Sequence, residues 1–360
     1  MKAGRTLQEL AIEIERQNEV KRDYIANTAQ MRMSVTEPLE GFVEDDPGVR
    51  FPVLEIQDME PFRINSIAHD QIGTKLGIPS RYYDRMLAEE PELLATNVNR
   101  WFEKQPMQRM VRTLDGTARA FLSERYRRID NHEIAQAVLP MIADMKGATV
   151  ESCEITEKKM YLKVINQYVQ TEIVKGDIVQ SGLIISNSET GHGSVSVRPM
   201  IYRLVCTNGM IAADAGQKKY HTGRVNEGDD NFEIYRSETI QADDKAFIMK
   251  LQDIVRASAD KIQFERIVTA MKTGTSAKLT GEVPAVVELA SKNYGLSEYE
   301  GKGVLEHLIR GEDLSLYGLA NAVTRHAQDV ESYDRSTELE MTAWQMLNMS
   351  RRQWNSLNAA

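Results

Sequence analysis

The chain has 360 residues, of which 42% are hydrophobic and 27% charged. That is enough apolar material for a large core, and it excludes global disorder. A formal net charge of −9 argues against a surface coated in cations for bulk nucleic-acid binding, while leaving room for a local basic face.

No apolar run reaches the roughly 20 residues that a bilayer requires. The two cysteines, Cys153 and Cys206, lack CxxC spacing, so they make neither a disulfide framework nor a structural zinc site. A reducing, cytoplasmic setting with no membrane partner is the expectation.

In chain order, residues 1–30 read as a polar amphipathic helix without the apolar block of a secretory signal. Glu37-Pro38 and the acidic Glu44-Asp45-Asp46-Pro47-Gly48 read as an exposed connection. Residues 1–50 are therefore expected to be an N-terminal helix and linker. Ser66–Leu76, Ser80–Leu87 and Pro91–Phe102 predict three helices, with Gly77-Ile78-Pro79 between the first two and Ser80 as an N-cap.

Arg109–Leu114 and Ala118–Tyr126 flank Asp115-Gly116, a hairpin signal. Asn131 is expected to cap a helix reaching about Met145, with Ile134, Val138, Leu139, Met141 and Ile142 on its buried side. Strands are predicted over 148–156, 158–169, 178–187 and 194–206. Their connections are too short for parallel crossovers. The fold class is α+β, with a central, mainly antiparallel sheet and packed helices over residues 51–235.

Past Asn208-Gly209 the pattern loosens into a loop over 215–232. Thr239–Lys272 predicts one long helix, with Phe247, Leu251, Ile254, Val255, Ile262 and Ile267 at three-to-four spacing. Residues 282–350 read as helical, broken near Gly295, Gly301-Lys302-Gly303 and Gly311. Residues 236–360 thus form a helical C-terminal region.

Enzyme chemistry finds little support in these residues. Ser186-Asn187-Ser188-Glu189-Thr190-Gly191-His192-Gly193-Ser194 holds a serine, an acid and a histidine, but a solvated hairpin loop accounts for it. Cys206 falls in an apolar run and reads as a buried thiol. The six histidines show no HxH or HExxH spacing, and no P-loop or dinucleotide fingerprint is present. No catalytic residue, metal or cofactor is expected.

Binding chemistry is better represented. Residues 109–128 carry Arg109, Arg112, Arg119, Arg125, Arg127 and Arg128 against Asp115 and Glu124. In Lys158–Ile165, one strand face carries Lys159, Tyr161, Lys163 and Ile165; the other, with Lys158, Met160, Leu162 and Val164, should meet the core. A face that alternates cations with a ring suits single-stranded nucleic acid. Arg198, Tyr202, Arg203 and Lys218-Lys219-Tyr220 extend the same chemistry. Arg112, Arg119, Arg125, Arg127 and Arg128 are expected at phosphates, and Tyr126, Tyr161 and Tyr202 at bases. The competing account is that these side chains decorate a solvated sheet face. Further along, Asn321, Arg325 and Asp329 share one helical face, which allows Arg325–Asp329 pairing.

Three segments carry a family likeness: Arg119-Ala-Phe-Leu-Ser-Glu-Arg-Tyr-Arg-Arg128; Ser186 to Val195 running into Arg198–Met210; and Asn321-Ala-Val-Thr-Arg325 with Ser332-Tyr-Asp334 and Glu338-Leu-Glu340. Together they resemble a phage- and plasmid-associated family known as domain of unknown function nine hundred and thirty-two. The resemblance implies a mobile-element protein and supplies no catalytic residues. The element order over 131–260 is also similar to the core of Rad52-like single-strand annealing proteins, which implies cofactor-free DNA binding by oligomeric rings. The expected function is a non-enzymatic, single-stranded-DNA-binding accessory protein of a phage or plasmid, assisting annealing or replication and forming a homo-oligomer. The alternative is a protein-interaction factor, such as a host-defence inhibitor or regulator, with a host or phage protein as its partner.

Overall fold

The computed structural model describes residues 1–36, 50–212, 217–219, 237–257 and 261–359. The acidic segment at 44–48 and most of the predicted loop at 215–232 lie outside the described residues.

Helix α1 (Leu7–Val20) leads into β1 (Arg22–Asn27), a short 3-10 turn and β2 (Met31–Thr36). Next come β3 (Phe51–Ile56), β4 (Phe62–Ile64), helices α2 (Ser66–Leu76), α3 (Ser80–Glu89) and α4 (Pro91–Lys104), then β5 (Gln108–Leu114) and β6 (Thr117–Ser123). These strands form one six-stranded sheet in the order β1-β5-β6-β4-β3-β2. Its pairings are antiparallel except β4 with β6. Helices α2 to α4 bury Ile72, Leu94, Val98 and Phe102 against Met33, Leu54, Val111 and Phe121 of the sheet.

The strands at 22–27 and 31–36 correct the expected N-terminal helix and linker. Tyr24 and Ala26, and then Met31, Met33 and Val35, alternate with period two and turn into this core; the helical reading ran past that change of period. The hairpin at Asp115-Gly116 is present, with both residues left-handed at φ 50° and 71°, as a two-residue turn between twisted strands requires. Two cap assignments move by one residue. Pro79 precedes Ser80 as the N-cap of α3. Asp130, rather than Asn131, precedes the next helix without capping it through its side chain, because its carboxylate is engaged in ion pairs.

That helix is α5 (Asn131–Asp144), followed by β7 (Ala148–Ile155), β8 (Met160–Glu172), β9 (Ile178–Asn187), β10 (Val195–Arg203), β11 (Asn208–Ile211) and β12 (Gln217–Lys219). They build a second six-stranded sheet, an antiparallel meander β7-β8-β9-β10-β11 with β12 paired to β10. The single central sheet expected from sequence is thus two sheets, and the α+β class holds. On one face Leu162, Val164, Leu183, Ile185, Val195 and Val197 pack beneath α1, α5 and α6 (Ser237–Ala257).

The C-terminal helices are α7 (Lys261–Ser276), α8 (Val283–Tyr294), α9 (Glu298–Gly311), α10 (Leu316–His326), α11 (Tyr333–Leu347) and α12 (Arg351–Leu357). The predicted long helix over 239–272 is helical on both sides of 258–260, which lie outside the described residues, and its two parts serve two cores. Leu251 and Val255 of α6 pack with α5, whereas Phe264, Ile267 and Met271 of α7 join the C-terminal helices. Gly301 and Gly303 do not break α9. A Cβ at Gly303 would lie 2.2 Å from Nδ1 of His326, so glycine lets α10 approach the α9 backbone. Gly295, at φ 69°, does end α8. Among the described residues, no helix is long and apolar enough to cross a membrane.

Candidate functional site

The arginine cluster folds into an ionic junction between the two sheets. Antiparallel pairing sets Asp23 of β1 opposite Arg112 of β5. Arg112 faces Ala120 and Thr113 faces Ala118, so Arg119 is the extra residue of a β-bulge, a device that re-aims a side chain. Arg112 is fully buried. Its Nε donates to Asp23 at 2.8 Å, one terminal nitrogen to Asp130 at 2.7 Å, and the other to the Glu189 backbone carbonyl at 3.1 Å. Arg119 donates to the Glu189 carboxylate at 2.6 Å, and the Asn131 backbone N–H donates to its other oxygen at 2.7 Å. Lys21 pairs with Asp130 at 2.8 Å. Burial pushes the Asp130 carboxyl up, but Arg112 and Lys21 together bring it well below its usual value.

Asn187, Ser188, Glu189 and Thr190 are therefore buried, which corrects the solvated hairpin loop expected there. Tyr126 donates its hydroxyl to the Ser188 carbonyl at 2.9 Å. The His192 ring lies 3.3 Å from the Thr190 hydroxyl, and the Ser186 hydroxyl pairs with Ser196 at 2.9 Å. Cys206 is half-buried rather than buried.

The predicted cation–aromatic face of β8 is covered as well. Lys163 and Glu340 of α11 meet at 2.6 Å with both side chains buried, and the ammonium sits 4.8 Å from the centre of the Tyr333 ring. The Tyr161 hydroxyl donates to Asp334 at 2.7 Å and that of Tyr202 to Glu151 at 2.8 Å. Arg203 pairs with Asp177 at 2.7 Å. Strand alternation assigned these residues to one face correctly, but α11 roofs that face with its own acids. Arg112, Arg119, Lys163 and Arg203 are thus neutralised where they stand, and Tyr161 and Tyr202 present no ring to a base. Arg127 pairs with Asp243 at 2.8 Å, and Arg128 approaches Asp23 at 3.3 Å. Arg125 is exposed at the end of β6.

One group of the expected residues remains. Lys159, just before β8, and Arg198 of β10 are half-buried beside the roofed area. Neither forms an ion pair among the described residues. Arg198 Nε is buried without a hydrogen-bond partner, and a terminal nitrogen rests on the Met341 sulfur. Burial lowers the proton affinity of both Arg198 and Lys159, in the second case against the opposing pull of Asp334 and Glu338. The His192 imidazole beside them is lowered by burial and then by Lys158 and Lys159. Strand β12 runs along β10 with Lys218 opposite Ser196 and Lys219 opposite Val195; their side chains lie outside the described residues. Sequence reasoning missed Lys158 and His192 as members of this group, because one was assigned to the core face and the other to a loop.

A family model described as domain of unknown function (DUF932) matches residues 119–354, about two thirds of the chain. The chain belongs to the DUF932 family. No curated protein and no solved structure matches it. The DUF932 match opens inside β6 and runs through the whole second sheet into α12. The three segments that carried the resemblance in the sequence meet here. The first supplies Arg119 and the second Glu189, its partner; the third supplies Asp334 and Glu340, which roof β8. Lys21, Asp23 and Arg112 reach the junction from outside the DUF932 match.

Proposed function

We propose that this DUF932 protein is a non-enzymatic nucleic-acid-binding protein that holds phosphates of single-stranded DNA beside β10. Lys159 and Arg198 are the central contacts, with Lys158 and His192 next to them and Lys218 and Lys219 on the adjoining strand. The observation that carries this reading is the contrast in partners. Arg112, Arg119, Lys163 and Arg203 each pair with a carboxylate, whereas Lys159 and Arg198 are desolvated without an ion pair among the described residues. A desolvated, unpaired cation is costly, and an anion from outside removes that cost. Strand β12 pairs directly with β10, which carries Arg198, and neighbouring strands stand about 4.8 Å apart, so a phosphate backbone that lies along β10 also passes the strand of Lys218 and Lys219.

With Tyr161 and Tyr202 buried, affinity rests on phosphate contacts more than on stacking. The setting implied by the family resemblance, a phage or plasmid, gives such a protein a place in annealing or replication.

The test is a fluorescence-anisotropy titration of labelled single-stranded DNA across a salt series. Binding is expected to weaken steeply with salt. The double variant Lys159→Gln, Arg198→Gln should bind at least tenfold more weakly and show a shallower log–log slope by about 1.4, since each phosphate contact on a single strand contributes about 0.7. Absence of salt-sensitive binding at low ionic strength, or a double variant that binds like the parent, overturns the reading. Protein partners that survive nuclease treatment in a lysate pull-down would then support the interaction-factor alternative.

A further inference from the structure

A second group of chemistry-bearing side chains lies far along the chain, where α9 packs on the end of α10. His307 Nε2 donates to Asp329 Oδ2 at 2.6 Å, and His326 Nδ1 stands 4.0 Å from the same oxygen. One donor atom from each residue can be chosen so that all lie within 4.8 Å of one another. We propose that His307, His326 and Asp329 form a binding site for a divalent transition-metal ion of the zinc class.

Local structure assembles the three. His326 closes α10, and the Asp329 backbone N–H donates to the His326 carbonyl at 2.9 Å, folding the carboxylate back beside the imidazole. Gly303 stands one turn before His307 on α9. Its missing Cβ, which would lie 2.2 Å from His326 Nδ1, brings the His326 ring down onto the helix that carries His307.

The second observation is His326 itself. The residue is 3% exposed, and its Nε2 is buried without a hydrogen-bond partner among the described residues. No protein group fixes its tautomer, so the ring can keep its proton on Nε2 and turn the Nδ1 lone pair toward a cation. The two imidazole centres are 6.1 Å apart. At the usual zinc–nitrogen bond length each centre lies about 3.2 Å from the metal, so a tetrahedral ion holds two rings about 5.2 Å apart and loading draws the imidazoles about 1 Å closer.

Two imidazoles and one carboxylate suit a borderline divalent ion, and three protein ligands leave a position for water. Arg325 donates to the other carboxylate oxygen, Oδ1, at 3.2 Å; this orients Asp329 and leaves Oδ2 for the ion. Entry of the ion replaces the His307–Asp329 hydrogen bond. Asp329, 41% exposed in its side chain, has the freedom for the sub-ångström opening this needs.

The experiment titrates the chelator-treated full chain with Zn²⁺ by calorimetry and with Co²⁺ by visible absorption. The parent should take up one equivalent of Zn²⁺, and Co²⁺ should give the d–d bands of a nitrogen- and oxygen-ligated site. His307→Ala and Asp329→Asn, both at partly exposed positions, should each weaken uptake at least tenfold while keeping the parent's circular dichroism. Non-saturating uptake by the parent, or uptake unchanged in both variants, overturns the site. If one variant fails to fold, the other and the Co²⁺ spectrum of the parent still decide.

Discussion

Arg112 and Arg119 at the sheet junction, and Arg198 of β10 with Lys159 just before β8, are all cations carried on or next to strands. Their fates differ because of where the carboxylates come from. The junction draws Asp23 from β1, Asp130 from the start of α5 and Glu189 from the segment between β9 and β10. Around Lys159 and Arg198, the nearby acids are already engaged. Asp334 accepts from Tyr161 and Thr156, and Glu338 pairs with Arg335. A run of arginines is therefore weak testimony for a binding surface. What marks a ligand site is a cation that the fold has desolvated and left without a counter-ion.

The strongest way to break that comparison is Arg112→Met. It leaves Asp23 and Asp130 facing each other without their shared cation inside a largely buried contact. Removing one partner of a buried ion pair typically costs about 3–5 kcal/mol, and a loss of that size should appear in the denaturant midpoint. Lys163→Met should act likewise, because Glu340 would be stranded; adding Glu340→Leu should recover much of the loss. Arg198→Gln should show no such penalty. Equal losses at Arg112 and Arg198 would erase the distinction between the two regions.

Much of the fold was legible because its signals are local. The Asp115-Gly116 turn, the helices over 66–102 and the four strands between 148 and 206 follow from period and turn chemistry within a few residues. What was not legible depends on partners remote in the chain. Alternation in β8 placed Tyr161 and Lys163 on one face, but nothing nearby announces that Asp334 and Glu340, more than 170 residues later, cover it. Glu189 looked like a loop residue because its partners sit on another sheet. Gly303 looked like a helix break because its reason, the His326 ring, belongs to another helix. For the candidate site, Lys159, Arg198, Lys218 and Lys219 were identifiable as cations. That Lys159 and Arg198 form no ion pair among the described residues was a tertiary fact.

A second test contrasts the charged junction with a buried titratable group that has no charged partner. His69 of α2 is buried in the first sheet's core, and its Nδ1 lies 2.9 Å from the Tyr83 hydroxyl. Burial lowers its pKa from 6.5 to about 4. Between those values the unfolded chain binds the extra proton, so stability is lost as pH falls through this window. From about pH 7 to about pH 5 the loss from this group is about 2 kcal/mol, and His69→Gln should flatten that slope. Asp130 of the junction should not contribute there. Asp130 is depressed rather than raised, so its stabilisation persists above the ordinary carboxyl pKa of 3.8 and fades only as pH falls below it. A pH slope that survives His69→Gln but disappears with Arg112→Met would reverse the assignment.

The smallest effect is also the one that bears most closely on function. Replacing Lys159 and Arg198 together by Gln removes two half-buried charges that break no ion pair among the described residues. In the absence of DNA the double variant should be as stable as the parent, or more stable by up to about 1 kcal/mol, because relief of desolvation offsets lost side-chain contacts. With saturating single-stranded DNA the order should invert. A ligand that binds only the folded state raises its stability with the logarithm of ligand concentration over Kd, so the parent's melting temperature should rise more with added DNA than the variant's. Thermal denaturation of both proteins, with and without DNA, reads the two contributions separately. A variant destabilised on its own would mean that these cations belong to the packing, as Arg112 does, and that the group beside β10 is a second junction whose acids lie elsewhere in the chain.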